Sequence, residues 1–143
     1  MAAPRYDTSR WPLVSITLSS IEMTDAELDH YLNWMDQLFE RGSKFAVLLD
    51  YRQAPDMKAK RRQLIGERSR AAMERHPGQL VAFAFVISSA LQRGIFTAIL
   101  WLSRSGDTAR VFAGLSEGET WLASRLQSVG LEPRAMSRAP RAS

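Results

Sequence analysis

The run VAFAFVISSALQRGIFTAILWL, Val81 to Leu102, constrains the fold more than any other stretch of this chain. It is long enough to cross a bilayer, which takes about 20 consecutive apolar residues. Ser88, Ser89, Gln92 and Arg93 fall at its middle, however, and a charge at the bilayer centre costs about 2.5 kcal/mol or more. No second apolar run is available to shelter that charge. The stretch divides better into two elements. LVAFAFVI, Leu80 to Ile87, follows the turn signal HPG and reads as a strand buried on both faces. Ser88 is then the expected N-cap of a helix over Ala90 to Leu102.

The same alternation of strand and helix runs through the rest. LVSITLS, Leu13 to Ser19, alternates apolar and polar as a half-buried strand does. Thr24 opens T-D-A-E, a capping box with Glu27, and Met23 with Leu28 forms a hydrophobic staple. Leu28, Tyr31, Leu32, Met35, Leu38 and Phe39 recur at helical spacing until Gly42. FAVLLDY, Phe45 to Tyr51, is a buried strand, and Asp56 to about Arg75 is a long charged helix. After the turn SGD, RVFAGL is a short strand. Ser116 and Glu119 suggest a second capping box, before a helix carrying Trp121, Leu122, Leu126 and Val129, with Gly130 at its end.

The predicted order is β-α-β-α-β-α-β-α. This is an α/β class: a single domain with a mixed, mostly parallel sheet and helices packed on it. Residues 1–10 form an arm or an antiparallel edge strand around Arg5 to Ser9. The domain proper spans 11–131, and 132–143 is a basic tail of disordered composition. A chain of 143 residues can bury a core without staples, and zero cysteines exclude disulfides and thiolate metal sites. The N-terminus lacks the apolar region of a secretory signal, so the expected location is cytoplasmic.

Several runs are similar to bacterial STAS/SEC14-type proteins of unassigned function. They are Asp50-Tyr51-Arg52, then KRR, FVISS, RGIFTAILW, and finally FAGLSEGETWL. With the element order, they resemble the STAS and SpoIIAA-like fold over roughly Leu13 to Val129. The resemblance implies a regulatory or protein–protein interaction domain. Antagonists of anti-sigma factors in the STAS group carry a phosphorylatable serine just after a strand, in a D-S-S-G-like turn. Here the turn after Asp50 reads YRQAP and holds no serine, so the resemblance does not extend to a phosphoserine switch.

Catalytic chemistry finds little footing. The two histidines, His30 and His76, have neither nucleophile nor ligand spacing around them. RGSK, Arg41 to Lys44, lacks the flanking glycine and the following Ser/Thr of a phosphate loop. No cofactor is implied, and the expectation is a non-enzyme. The net charge of +4 is the sole argument for nucleic acid, which is therefore not expected as a partner.

Two surfaces remain. The carboxyl ends of open α/β sheets gather ligands. If the second and third buried strands are neighbours, Asp50, Arg52, Ser88, Ser89 and Arg93 converge there and would suit a small anion or a lipid headgroup. The competing reading is that Ser88 caps a helix and Asp50 pairs with Arg52 or Arg93. The other surface is the third helix. Leu91, Ile95, Phe96, Ile99, Leu100, Trp101 and Leu102 wrap most of it, leaving Gln92, Arg93 and Thr97 as a narrow polar strip. One side can take the sheet. The other calls for a second copy or another protein, with Phe96, Leu100 and Trp101 as interface candidates, or for burial under a flanking helix. Arg61, Arg68 and Arg75 recur every seven residues on the second helix, about 40° to 60° from the stripe of Met57, Leu64 and Ala71. They offer either arginine stems lying over a sheet edge or a partner surface.

Overall fold

The structure is a computed structural model that describes residues 3–102 and 107–133. The SGD turn apart from Asp107, and the expected tail from residue 134 onward, lie outside the described residues. The element order is β1 (Arg5–Arg10), β2 (Leu13–Thr17), α1 (Asp25–Glu40), β3 (Phe45–Asp50), α2 (Ala59–Arg75), β4 (Leu80–Val86), α3 (Ala90–Leu102), β5 (Ala109–Phe112) and α4 (Leu115–Gln127).

One five-stranded sheet runs in the order β1-β2-β3-β4-β5. The hairpin β1–β2 is antiparallel, and every later pair is parallel. The α/β class and the edge strand before Leu13 are as expected. Each crossover steps one strand in the same direction, so right-handed connections place α1, α2 and α3 on one face. The residues agree. Val14, Ile16, Val47, Leu49, Phe83 and Phe85 meet these three helices on that face. Leu13, Ala46, Leu48, Ala82, Ala84 and Val86 meet Leu122 and Leu126 of α4 on the other.

β3 sits at the centre and is buried at all six positions. β4 is not buried on both faces, contrary to the sequence reading. Ala82, Ala84 and Val86 are sealed under α4, whereas Val81, Phe83 and Phe85 stay half-buried beneath α3. The apolar run reflects two helix-covered faces, but α3 covers its side incompletely.

Local signals explain most element ends. Thr24 Oγ1 accepts from the Glu27 N–H at 3.1 Å, and Glu27 Oε1 accepts from the Thr24 N–H at 2.9 Å, completing the capping box. Gly42, at φ 78°, takes the left-handed turn after α1. Three readings need correction. α2 begins at Ala59 rather than Asp56, and its N-cap Lys58 makes no side-chain cap bond. Ser116 does not open α4, which starts one residue earlier behind Gly114. The strand-to-helix turn is made at Gly114, so the S-x-x-E pattern falls inside the first turn. The cap of α3 is Ser89, not Ser88: Ser89 Oγ accepts from the Gln92 N–H at 3.3 Å and its carbonyl from the Arg93 N–H at 2.9 Å.

Candidate functional site

The strand ends do bring the sequence candidates together, because β3 and β4 are neighbours and Asp50 pairs with Val86. Asp50 points to the α4 face and is buried to 7% exposure. Arg52 grips it with a fork, Nε to Oδ1 and NH2 to Oδ2, both at 2.9 Å, and the Arg52 backbone N–H adds a third bond at 3.1 Å. Burial alone would raise the Asp50 carboxyl. The hydrogen bonds from Arg52, with the charges of Arg52 and Arg5, outweigh it and hold the carboxyl below its ordinary range. The same pairing raises Arg52.

Ser88 Oγ donates to the Arg52 carbonyl at 3.2 Å. Arg93 NH1 donates to the carbonyls of Ile87 and Ser88, at 2.9 and 2.8 Å. The five residues thus form one network in which each guanidinium already has acceptors within the chain. The sheet order is sequential, so there is no point of strand-order reversal to open a crevice between helices on opposite faces. A cleft does open nearby, between the ends of β2 and β3 and the start of α2, lined by Leu18, Met23, Tyr51 and Met57. Its cavity volume is about 30 Å³. That holds one or two waters, far from the roughly 300 Å³ of a small-molecule site. Burial pushes the Tyr51 phenol beside it up to about 12, so it stays protonated.

The arginines of α2 turn toward α1. Arg61 donates to the Met23 carbonyl and to Asp25 Oδ1, both at 2.7 Å. Arg68 reaches Asp36 Oδ2 at 2.6 Å, and Arg75 stands 4.0 Å from the same carboxylate. They tie two helices of one face together. His30 lies exposed beside Tyr6, and His76 stacks on Phe39 at the end of α2.

The third helix is where sequence and structure meet most sharply. Phe96 packs inward, edge-on to Tyr51 at 5.7 Å and tilted against Phe85 at 5.6 Å. Gln92, Arg93 and Leu100 share that half-buried side. Of the three interface candidates, Trp101 is the one that points out, 80% exposed. Leu91 at 75%, Ile95 at 45% and Ile99 at 44% join it, and Gly94, Thr97 and Ala98 fill the space between. At 100° per residue these seven positions span an arc of about 200°. None is charged. The helix is inside out: its one charged side chain, Arg93, faces the protein, and its grease faces outward. The i, i+4, i+8 spacing of Leu91, Ile95 and Ile99 is the sequence signal for this outward face.

A groove of about 570 Å³ runs along one flank of this helix, lined by Arg93, Gly94, Thr97, Ala98 and Trp101 and by Val111 of β5. No helix among the described residues is long and apolar enough to cross a membrane. No family model, no curated protein and no solved structure matches this chain.

Proposed function

We propose that this chain is a non-enzymatic, STAS-like regulatory or protein–protein interaction domain that works as a homodimer and presents α3 as its docking face. The observation that carries the reading is the uncharged outer arc of α3. Solvent-facing helix surfaces ordinarily carry the polar residues, and the largest apolar patch on a typical monomer, about 300–600 Å², is often a functional one. Trp101, Leu91, Ile95 and Ile99 together expose apolar surface of about 500 Å², within that upper range. Large aromatic side chains standing in such a patch are typical of interface centres.

A small anionic ligand or lipid headgroup at the strand ends is the weaker reading. Its arginines are engaged by Asp50 and by the carbonyls at the end of β4, and an incoming anion would have to displace those bonds.

The test is Trp101→Asp, read by sedimentation velocity. The unaltered protein should sediment at twice the 16.1 kDa chain mass. The variant should sediment as a folded monomer, because a charge at the centre of an apolar interface is desolvated without a partner. A variant that keeps the dimer mass overturns α3 as the docking face.

A further inference from the structure

The docking face has an edge strand beside it, and the two edges of the sheet differ. β1, at one edge, carries Arg5, Asp7 and Arg10 and breaks its register between Asp7 and Arg10. Charges and irregular register are how sheets prevent edge-to-edge pairing. β5, at the other edge, reads Ala-Arg-Val-Phe and pairs in regular parallel register with β4. The Phe83 N–H bonds the Thr108 carbonyl at 2.7 Å, and the Ile87 N–H bonds the Phe112 carbonyl at 2.9 Å. Backbone groups alternate sides along a strand. Thr108, Arg110 and Phe112 therefore turn theirs toward β4, and Ala109 and Val111 turn theirs outward, along the flank that bears the α3 groove.

We infer that the second copy of the chain docks edge to edge, β5 against β5 in antiparallel register with the dyad at Val111, so that two five-stranded sheets become one ten-stranded sheet. The inference rests on the proposed dimer and supplies its geometry. An antiparallel two-fold pair requires the outward-facing positions of one strand to meet those of the other. Val111 opposite Val111 satisfies this with a three-residue overlap, Arg110 to Phe112; a dyad at Arg110 overlaps as far but sets Arg110 against Arg110. The same register sets Arg110 opposite Phe112 of the second copy instead of opposite its own equivalent, which separates like charges.

The helices follow. α3 runs antiparallel to the strands, so Trp101 sits level with the start of β5, and Gly94 level with its end. A dyad at Val111 reverses this order in the second copy. Trp101 of each chain then meets the groove floored by Gly94 and Ala98 of the other, where small side chains leave room for an indole. Trp101 stands on the flank toward that seam, whereas Ile95 and Ile99 lie about 120° and 160° away around α3, so the indoles and the strand edges make the contact.

Two variants test it. Among the described residues nothing accepts from the outward N–H of Val111, so Val111→Pro should leave a folded monomer with the far-UV spectrum of the parent. The chain has no cysteine, so Val111→Cys provides a sole thiol. Directly opposed Cα atoms about 5.5 Å apart lie in disulfide range. Mild oxidation should therefore yield a covalent dimer at least tenfold faster than for Ser43→Cys, a control on the exposed loop before β3. If Val111→Pro keeps the dimer mass, or if Val111→Cys links no faster than the control, the edge pairing is overturned. Should Trp101→Asp still give monomer in that event, the α3 docking face stands without it. If Val111→Pro and Trp101→Asp both remain dimeric, both proposals fail.

Discussion

Gly118 lets α4 lie close enough to the sheet to seal the second face, and substituting it gives a worked prediction. Gly118 is buried in the first turns of α4. A Cβ built there would stand 3.3 Å from Leu48 Cδ1, 3.4 Å from Val86 Cγ2 and 3.6 Å from Ala84 Cβ. The floor beneath is made of small, fully buried residues, Ala46, Ala82 and Ala84. For Gly118→Ala, the tight contacts oppose a gain of about 1 kcal/mol in helix propensity, and the net change should lie near zero. Gly118→Val adds two methyl groups with nowhere to go. Overpacking costs about 1–3 kcal/mol, and the propensity gain is smaller for a β-branched residue. A net loss of about 2 kcal/mol should lower the melting midpoint by about 6–10 °C for a domain of this size. Gly66→Ala, with nothing within 4 Å of its Cβ on α2, should raise stability by about 0.5–1 kcal/mol. Thermal and urea unfolding followed by circular dichroism measures all three. A Gly118→Val protein that melts within 2 °C of the parent would refute the close approach of α4.

Thr24→Ala removes one half of the capping box and should cost about 1 kcal/mol in urea unfolding. Leu122→Ala opens a cavity under α4 at a position with 0% exposure, and should cost about 2–5 kcal/mol by the same assay. The Asp50 carboxyl is held below its ordinary 3.8 by Arg52, so its contribution is present above that value and is lost as the pH falls through the lower folded value. Unfolding midpoints measured from pH 7 to pH 2 should show this acid loss in the parent and a shallower one in Asp50→Asn. Arg68→Ala should weaken stability by up to about 1 kcal/mol, reduced at high salt, because its pair with Asp36 is partly exposed. Arg75→Ala, at 4.0 Å from the same carboxylate, should change it less.

Much of this fold was legible in the sequence. The capping box at Thr24 and the staple beside it are local, so the start of α1 needs no knowledge of the rest of the chain. Ser116 shows the limit of such motifs. It has the same S-x-x-E spacing, but Gly114 sets the turn, and the motif falls inside the helix. The sheet order was not legible, because handedness fixes the side of each crossover without fixing whether successive strands step the same way. For the strand-end residues, the sequence placed Asp50, Arg52, Ser88 and Arg93 together, but not who holds whom. That depends on side-chain reach across β3 and β4. For α3, composition announced an excess of apolar residues. Its orientation came from the aromatic contacts of Phe96 with Tyr51 and Phe85, which turn Arg93 in and Trp101 out.

The central claim is that the outer face of α3 is covered by a second copy. Its most direct measurement is hydrogen–deuterium exchange over residues 90–102, at protein concentrations spanning the monomer–dimer transition seen by sedimentation. The account predicts that α3 and β5 become protected as the mass rises from 16.1 kDa to twice that value, while α1 and α2 do not change. A chain that stays at 16.1 kDa throughout, or a dimer whose protection appears elsewhere than α3, would contradict it.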